Sequence, residues 1–221
     1  MSIASNTEQA RFNMVEQQIR PWDVLDQTVL DLLFKVRREE FVPAAYRALA
    51  FVDMEIPLGQ GESMWSPKLE ARAVQTLQLK ATDRVLEIGT GSGYLTALLA
   101  SMTAHVTSVG IHAEFVAEAT TKLKAHGFSN VSLEVGDASQ GWAQQAPYDV
   151  IVVTGSLPVM PENLPAQLAP GGRLFAIVGD DPVMTARLIT CVAHHVYRSE
   201  DLFETSIKPL VNAQQPDRFT F

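Results

Sequence analysis

Arg84-Val85-Leu86-Glu87-Ile88-Gly89-Thr90-Gly91-Ser92-Gly93-Tyr94 is the stretch on which the fold turns. Residues 84–88 form a short apolar strand, the glycines interrupt it, and residues 94–102 read as a helix. A glycine has no Cβ, so a loop of this kind bends sharply and lets its backbone approach a ligand. The strand–turn–helix setting separates it from an ordinary glycine turn. A Walker-type phosphate loop is excluded, because no Gly-Lys-Ser/Thr follows.

Downstream the alternation continues. Residues 106–109 read as a strand and 113–126 as a helix closed by Gly127; 131–135 and 150–153 are two more strands. A short helix over 164–168, a turn at Gly171-Gly172 and a strand over 174–178 follow. Two further β-like runs, 188–197 and 202–210, close the chain as an antiparallel edge. Upstream, 9–19 places Phe12, Val15 and Ile19 at helical spacing before Pro21. Asp26 caps a second helix with Val29, Leu30, Leu33, Phe34 and Val36 on one face. A loop rich in Gly and Pro spans 56–67, and Ser66-Pro67 opens a third helix. The expectation is an α/β fold: a doubly wound, mostly parallel sheet with an antiparallel edge and an N-terminal helical extension. Residues 1–80 read as a segment of helices and loops and 81–221 as the core. Ligands belong at the carboxyl ends of such strands.

The 221 residues are 47% hydrophobic and 19% charged, which excludes a disordered chain, a collagen-like repeat and a disulfide scaffold. A net charge of −8 argues against broad binding to nucleic acid or anionic membrane. Cys191 is the only cysteine, so no internal disulfide forms, and no Cys/His spacing suggests a metal. No secretory leader and no run of about 18 apolar residues is visible, so a soluble cytoplasmic protein is expected.

Nicotinamide and S-adenosylmethionine sites both use this architecture, with an acid about 20 residues past the glycines for the ribose. The count lands on Gly110, which has no side chain; Glu114 is either a substitute or a solvated helix acid. Gly136-Asp137 ends the third strand, where an acid either accepts from an exocyclic amine such as adenine's or caps the next turn. His194-His195 reads as a surface or edge-strand pair and Cys191 as a small buried residue. Trp22 and Trp142 are expected to pack, with Trp22 at the site entrance as the alternative.

Taken together, Glu87 to Tyr94, Gly136-Asp137, Ala146-Pro147-Tyr148-Asp149, Ile151-Val152-Val153-Thr154, Gln167-Leu168 with Gly171-Gly172, and Arg38-Glu39-Glu40-Phe41-Val42-Pro43 resemble the protein-L-isoaspartate O-methyltransferase family. The resemblance runs over about 14–210 in the family's order and spacing. It implies a class I, Rossmann-like methyltransferase core, with residues 1–80 covering the site, and S-adenosylmethionine as cofactor. The implied acceptor is the α-carboxylate of L-isoaspartyl residues in damaged proteins, whose ester collapses to a succinimide. By the same resemblance Gly89, Thr90, Gly91, Ser92 and Gly93 pass the methionine part of the cofactor, supported by Glu87. Asp137 meets the adenine with Ala138 alongside.

The sequence departs from the family at two places. The family's loop has the form Gly-x-Gly-Gln-Thr-Ile-Ser-x-Pro; here it is Gly59-Gln60-Gly61-Glu62-Ser63-Met64-Trp65-Ser66-Pro67. Ser63 falls on the threonine and Trp65 on the catalytic serine, which leaves Ser63 as the candidate catalytic hydroxyl and Ser66 as a helix cap. Gly110 stands where the family has its ribose acid. A methyltransferase with a changed acceptor stacking on Trp65, or a non-catalytic binding protein that keeps the fold, are the alternatives.

Overall fold

The computed structural model describes residues 3–216. Helix α1 (Ile3–Asn13) runs into a π-helical segment, Met14–Ile19, and a single 3-10 turn, Arg20–Trp22, carries Pro21. Met14, Val15 and Ile19 are buried, but Phe12 is 48% exposed. The wider π turn breaks the 3.6-residue period that had placed Phe12 inside. Arg11 takes the inward place, bound to Glu8 and Glu39. Helix α2 (Gln27–Lys35) starts as read, with the Asp26 carboxylate accepting from Thr28 N at 2.8 Å.

The stretch read as a loop over 56–67 contains an antiparallel hairpin, β1 (Ile56–Gly59) and β2 (Glu62–Met64), pairing Ile56 with Met64 and Pro57 with Ser63. Gly59, Gln60 and Gly61 all have positive φ, and that run of left-handed backbone closes a turn which composition alone did not separate from loop. Helix α3 (Pro67–Leu77) follows with proline at its first turn.

Next come β3 (Arg84–Ile88), α4 (Tyr94–Ala100), β4 (His105–Gly110), α5 (Ala113–Ala125) and β5 (Val131–Val135). Then follow β6 (Tyr148–Leu157), α6 (Asn163–Ala166), β7 (Leu168–Asp180), β8 (Val183–Ala193) and β9 (Val196–Thr205). The seven-stranded sheet has the order β5-β4-β3-β6-β7-β8-β9. It is parallel from β5 to β7 and antiparallel at β7-β8-β9. The antiparallel edge is thus present, but its last strand stops at Thr205. Residues 206–210, read as part of that strand, instead leave the edge and return to β6, where Pro209 bridges to Ser156.

Alternation along the strands feeds two apolar clusters, one per face. Val85, Val150, Val152 and Phe175 join α2 to α5 on one side, while Leu86, Ile88, Ile151 and Val153 join Leu164 of α6 on the other. Burying each such side chain stabilises the fold by about 1.5–3 kcal/mol, and covering both faces is why these strands are continuous Val/Ile runs. The chain steps outward from β3 to β5, then crosses back to β6. That crossing opens a cleft at the carboxyl ends of β3, β4 and β6, where ligands of open α/β sheets bind. Among the described residues, no helix is long and apolar enough to cross a membrane.

Candidate active site

The glycine loop after β3 forms the floor of this cleft. Gly89 has φ +103°, and a Cβ there would fall 2.0 Å from Thr154 Oγ1. That hydroxyl sits 2.9 Å from the carbonyl oxygens of both Ile88 and Gly89, so β6 holds the loop where only glycine fits. Thr90 is bound to Ser108 of β4 at 2.8 Å. Above the loop lies an open cleft of about 810 Å³, its mouth included.

Glu87 is fully buried beneath the loop. One carboxylate oxygen accepts from Thr96 Oγ1; the other has no hydrogen-bond partner among the described residues. Burial pushes its pKa up to about 7, against the lowering effect of Ser108 and Thr96, and the charge of nearby Glu70 raises it further. Glu87 lines a smaller hollow of about 330 Å³ that shares Ser63, Trp65 and Gly89 with the main cavity.

Asp137 lines the cavity, with Ala138 beside it. Its two oxygens accept from Ser139 N and Asn212 Nδ2, each at 2.9 Å. Burial pulls its pKa upward, but these hydrogen bonds outweigh that and hold it below the ordinary value. Asp137 thus caps the turn and also faces the cleft. Gly110 also faces the cleft, and a Cβ there would lie 2.8 Å from Val116 Cγ2 and 3.0 Å from Thr90 Oγ1. An acid at this position would require the Val116 and Thr90 side chains to shift. Glu114 is not its substitute: it is exposed, lies outside the cavity lining and reaches Gln60 at 3.5 Å.

The hairpin supplies the opposite wall. Ser63 and Trp65 both line the cavity, whereas Ser66 does not. Ser66 occupies the cap position of α3, although its hydroxyl makes no cap hydrogen bond. Trp65 is 6% exposed, meets Phe175 edge-on at 6.2 Å, and its indole N–H has no partner among the described residues. Its carbonyl accepts from Arg38, which also bonds Ala50 O at 2.8 Å and the Glu70 carboxylate at 3.0 Å. Arg38 and Glu70 are both buried, so the Arg38-Glu39-Glu40 segment anchors the hairpin from below.

Several lining residues gave no signal in the sequence. Glu55, His112 and Phe115 reach the cleft, as does the segment 207–211. His112 Nε2 lies 3.7 Å from Glu62 Oε1, and its ring stands edge-on to Phe115 at 5.2 Å. Position alone marks His112, at the head of the first helix beyond β4; the 207–211 contacts join residues far apart in sequence. Lys208 Nζ bonds the Glu62 carboxylate and, at 3.0 Å, Gly61 O. With side chains 47% and 24% exposed, that ion pair stabilises the fold by at most about 1 kcal/mol. Trp22 packs on Phe203 and under Lys68 outside the cavity lining, and Trp142 packs against Gly136. Cys191 is buried, and His194-His195 forms the turn between β8 and β9.

Comparison with known proteins agrees with this arrangement. The family described as Protein-L-isoaspartate(D-aspartate) O-methyltransferase matches residues 9–213. A protein-L-isoaspartate O-methyltransferase of Koribacter versatilis is 36% identical, over 92% of this chain and 91% of its own length. Protein-L-isoaspartate O-methyltransferase 1 of Rhodopseudomonas palustris is 40% identical over 91% of this chain and 82% of its own. A Plasmodium falciparum chain assigned as a protein-L-isoaspartate O-methyltransferase, crystallised with S-adenosyl-L-homocysteine, superposes with a TM-score of 0.75 at 19% identity. It covers 92% of this chain and 97% of its own, a likeness of fold. Matched over nearly its whole length, the chain belongs to the protein-L-isoaspartate(D-aspartate) O-methyltransferase family.

Proposed function

We propose that the protein transfers the methyl group of S-adenosylmethionine to the α-carboxylate of L-isoaspartyl residues in damaged proteins. The observation that carries the proposal is the single cavity joining the glycine loop to the Ser63 hairpin. Residues 81–221 form the cofactor core in this reading, and 1–80 the cover.

The lining fits the cofactor at its methionine end. Glu87 has a buried carboxylate oxygen without a partner, suited to a cationic group; Gly89, Thr90 and Gly91 line the cleft and Ser92 the adjoining hollow, whereas Gly93 faces Ala119 of α5. Asp137 and Ala138 would meet the adenine, and at Gly110 the ribose would find no acid. The bound cofactor supplies an activated methyl on a sulfonium.

The protein's own task is then positioning. The acceptor carboxylate is already a nucleophile and needs no general base. Holding it in line with the methyl supplies on the order of 7–11 kcal/mol of barrier lowering. Ser63 is the hydroxyl that orients the acceptor oxygen from the hairpin, and Trp65 and the strand ends keep water from the reacting side. One observation favours a second reading: the wall at Trp65 is a buried indole. A flat or apolar acceptor would pack there in place of a carboxylate.

Calorimetric titration with S-adenosylmethionine and S-adenosylhomocysteine tests the shared premise of both readings. Saturable heat from each ligand is expected. No heat at millimolar ligand would leave a protein that keeps the fold without the activity.

A further inference from the structure

We propose that Lys208 is the specificity-determining residue that binds the acceptor's carboxylate, and that Glu62 occupies Lys208 in its stead until the acceptor arrives. The inference rests on the isoaspartyl reading above. Lys208 is the only lysine or arginine among the described residues that line the cavity, against the carboxylates of Glu55, Glu62 and Asp137. Among the lysine, arginine and carboxylate side chains of that otherwise largely neutral lining, only Lys208 attracts an anionic acceptor.

The backbone that carries Lys208 is fixed. Ser156 N donates to Lys208 O at 3.0 Å, Leu210 N donates to Ser156 O at 2.9 Å, and Ser156 Oγ donates to Ile207 O at 3.2 Å. Gly155 permits this contact, because a Cβ there would lie 2.7 Å from Leu210 N. From this fixed base the ammonium reaches the hairpin turn and bonds Gly61 O and the Glu62 carboxylate, next in sequence to Ser63. Glu62 thus presents to Lys208 the same functional group that the acceptor would bring. The pair is partly exposed and weakly held, so an incoming carboxylate exchanges for it while Gly61 O keeps the ammonium in place. Displaced Glu62 has a second partner within reach, since its Oε1 already lies 3.7 Å from His112 Nε2.

The competing account makes the pair a simple strap between the hairpin and residues 206–211. Steady-state kinetics with an isoaspartyl peptide separates the two by sign. A strap is broken equally by Lys208→Met and Glu62→Gln, and both then shift KM the same way. Recognition predicts opposite shifts. Lys208→Met raises KM about tenfold through loss of a charge-assisted hydrogen bond, with a smaller change in kcat. Lys208→Arg restores most of that, and Glu62→Gln, which frees the ammonium, lowers KM about threefold. KM rising in both variants, or unchanged in Lys208→Met, would overturn the role of Lys208 while leaving the isoaspartyl activity intact. A wild-type protein that binds S-adenosylhomocysteine yet transfers no methyl to the peptide would instead overturn the isoaspartyl reading, and this inference with it.

Discussion

Glu87 concentrates much of the site's physics in one carboxyl group. Its folded-state pKa of about 7 lies above the ordinary value of 4.5, chiefly through burial. The folded protein therefore keeps a proton that the unfolded chain gives up in that interval. Its stabilising contribution is full below about pH 4.5 and is lost as pH rises through 7. Glu70 behaves alike, raised to about 7 by burial against the pull of Arg38. Melting temperatures measured between pH 5 and 7.5 should decline for the wild type, and Glu87→Gln should flatten that decline, leaving the share of Glu70. A variant with the wild-type slope would mean that Glu87 is ionised in its buried position. Ser63→Ala should lower kcat for an isoaspartyl peptide about tenfold or more, the value of one hydrogen bond to a charged carboxylate, with cofactor affinity unchanged. An undiminished kcat would remove Ser63 from the reaction. The glycines and Asp137 were legible in the sequence because their reasons are local: a positive φ, a turn to cap, a strand end. The buried partner of Glu87 was not, because Thr96 lies on another element.

Among elements, the hairpin β1-β2 is the one whose placement decides what the cleft accepts. It is held from below by Arg38, through the Trp65 carbonyl and the buried Glu70. Arg38→Met leaves Glu70 buried without its ion partner and should cost about 3–5 kcal/mol in chemical denaturation. Pairing it with Glu70→Leu should recover most of that loss; no recovery would mean that the Ala50 and Trp65 carbonyls, not the charge pair, set the cost. Trp65→Ser removes a buried ring from its place against Phe175 and should cost about 3–5 kcal/mol. A loss below 1 kcal/mol would show that the indole is not packed as described. The central strands and the caps of α2 and α3 were readable from period and capping residues. The hairpin was missed because two short strands of three and four residues give too little alternation to distinguish from loop. The end of β9 was missed because Ile207 and Leu210 are apolar for the sake of the cleft, not the sheet.

At the scale of the molecule, the cleft is assembled from segments more than 140 residues apart, as the contact of Lys208 with Glu62 shows. Such contacts leave no periodic mark, so the sequence yielded the parallel sheet, its antiparallel edge and the cofactor side, and left the acceptor side largely unread. The same division explains where this chain differs from its family's loop. The residues altered in that loop, Glu62, Ser63 and Trp65, sit together on the hairpin wall; Gly110, the other departure, lies across the cleft at the end of β4, and the glycine loop keeps its pattern. The central claim is that this combined cleft methylates the isoaspartyl carboxylate. Its most direct test is transfer of labelled methyl from S-adenosylmethionine to an isoaspartyl peptide and to its aspartyl twin at saturating cofactor. The account predicts base-labile label on the isoaspartyl peptide alone; label on neither peptide, or equally on both, would contradict it.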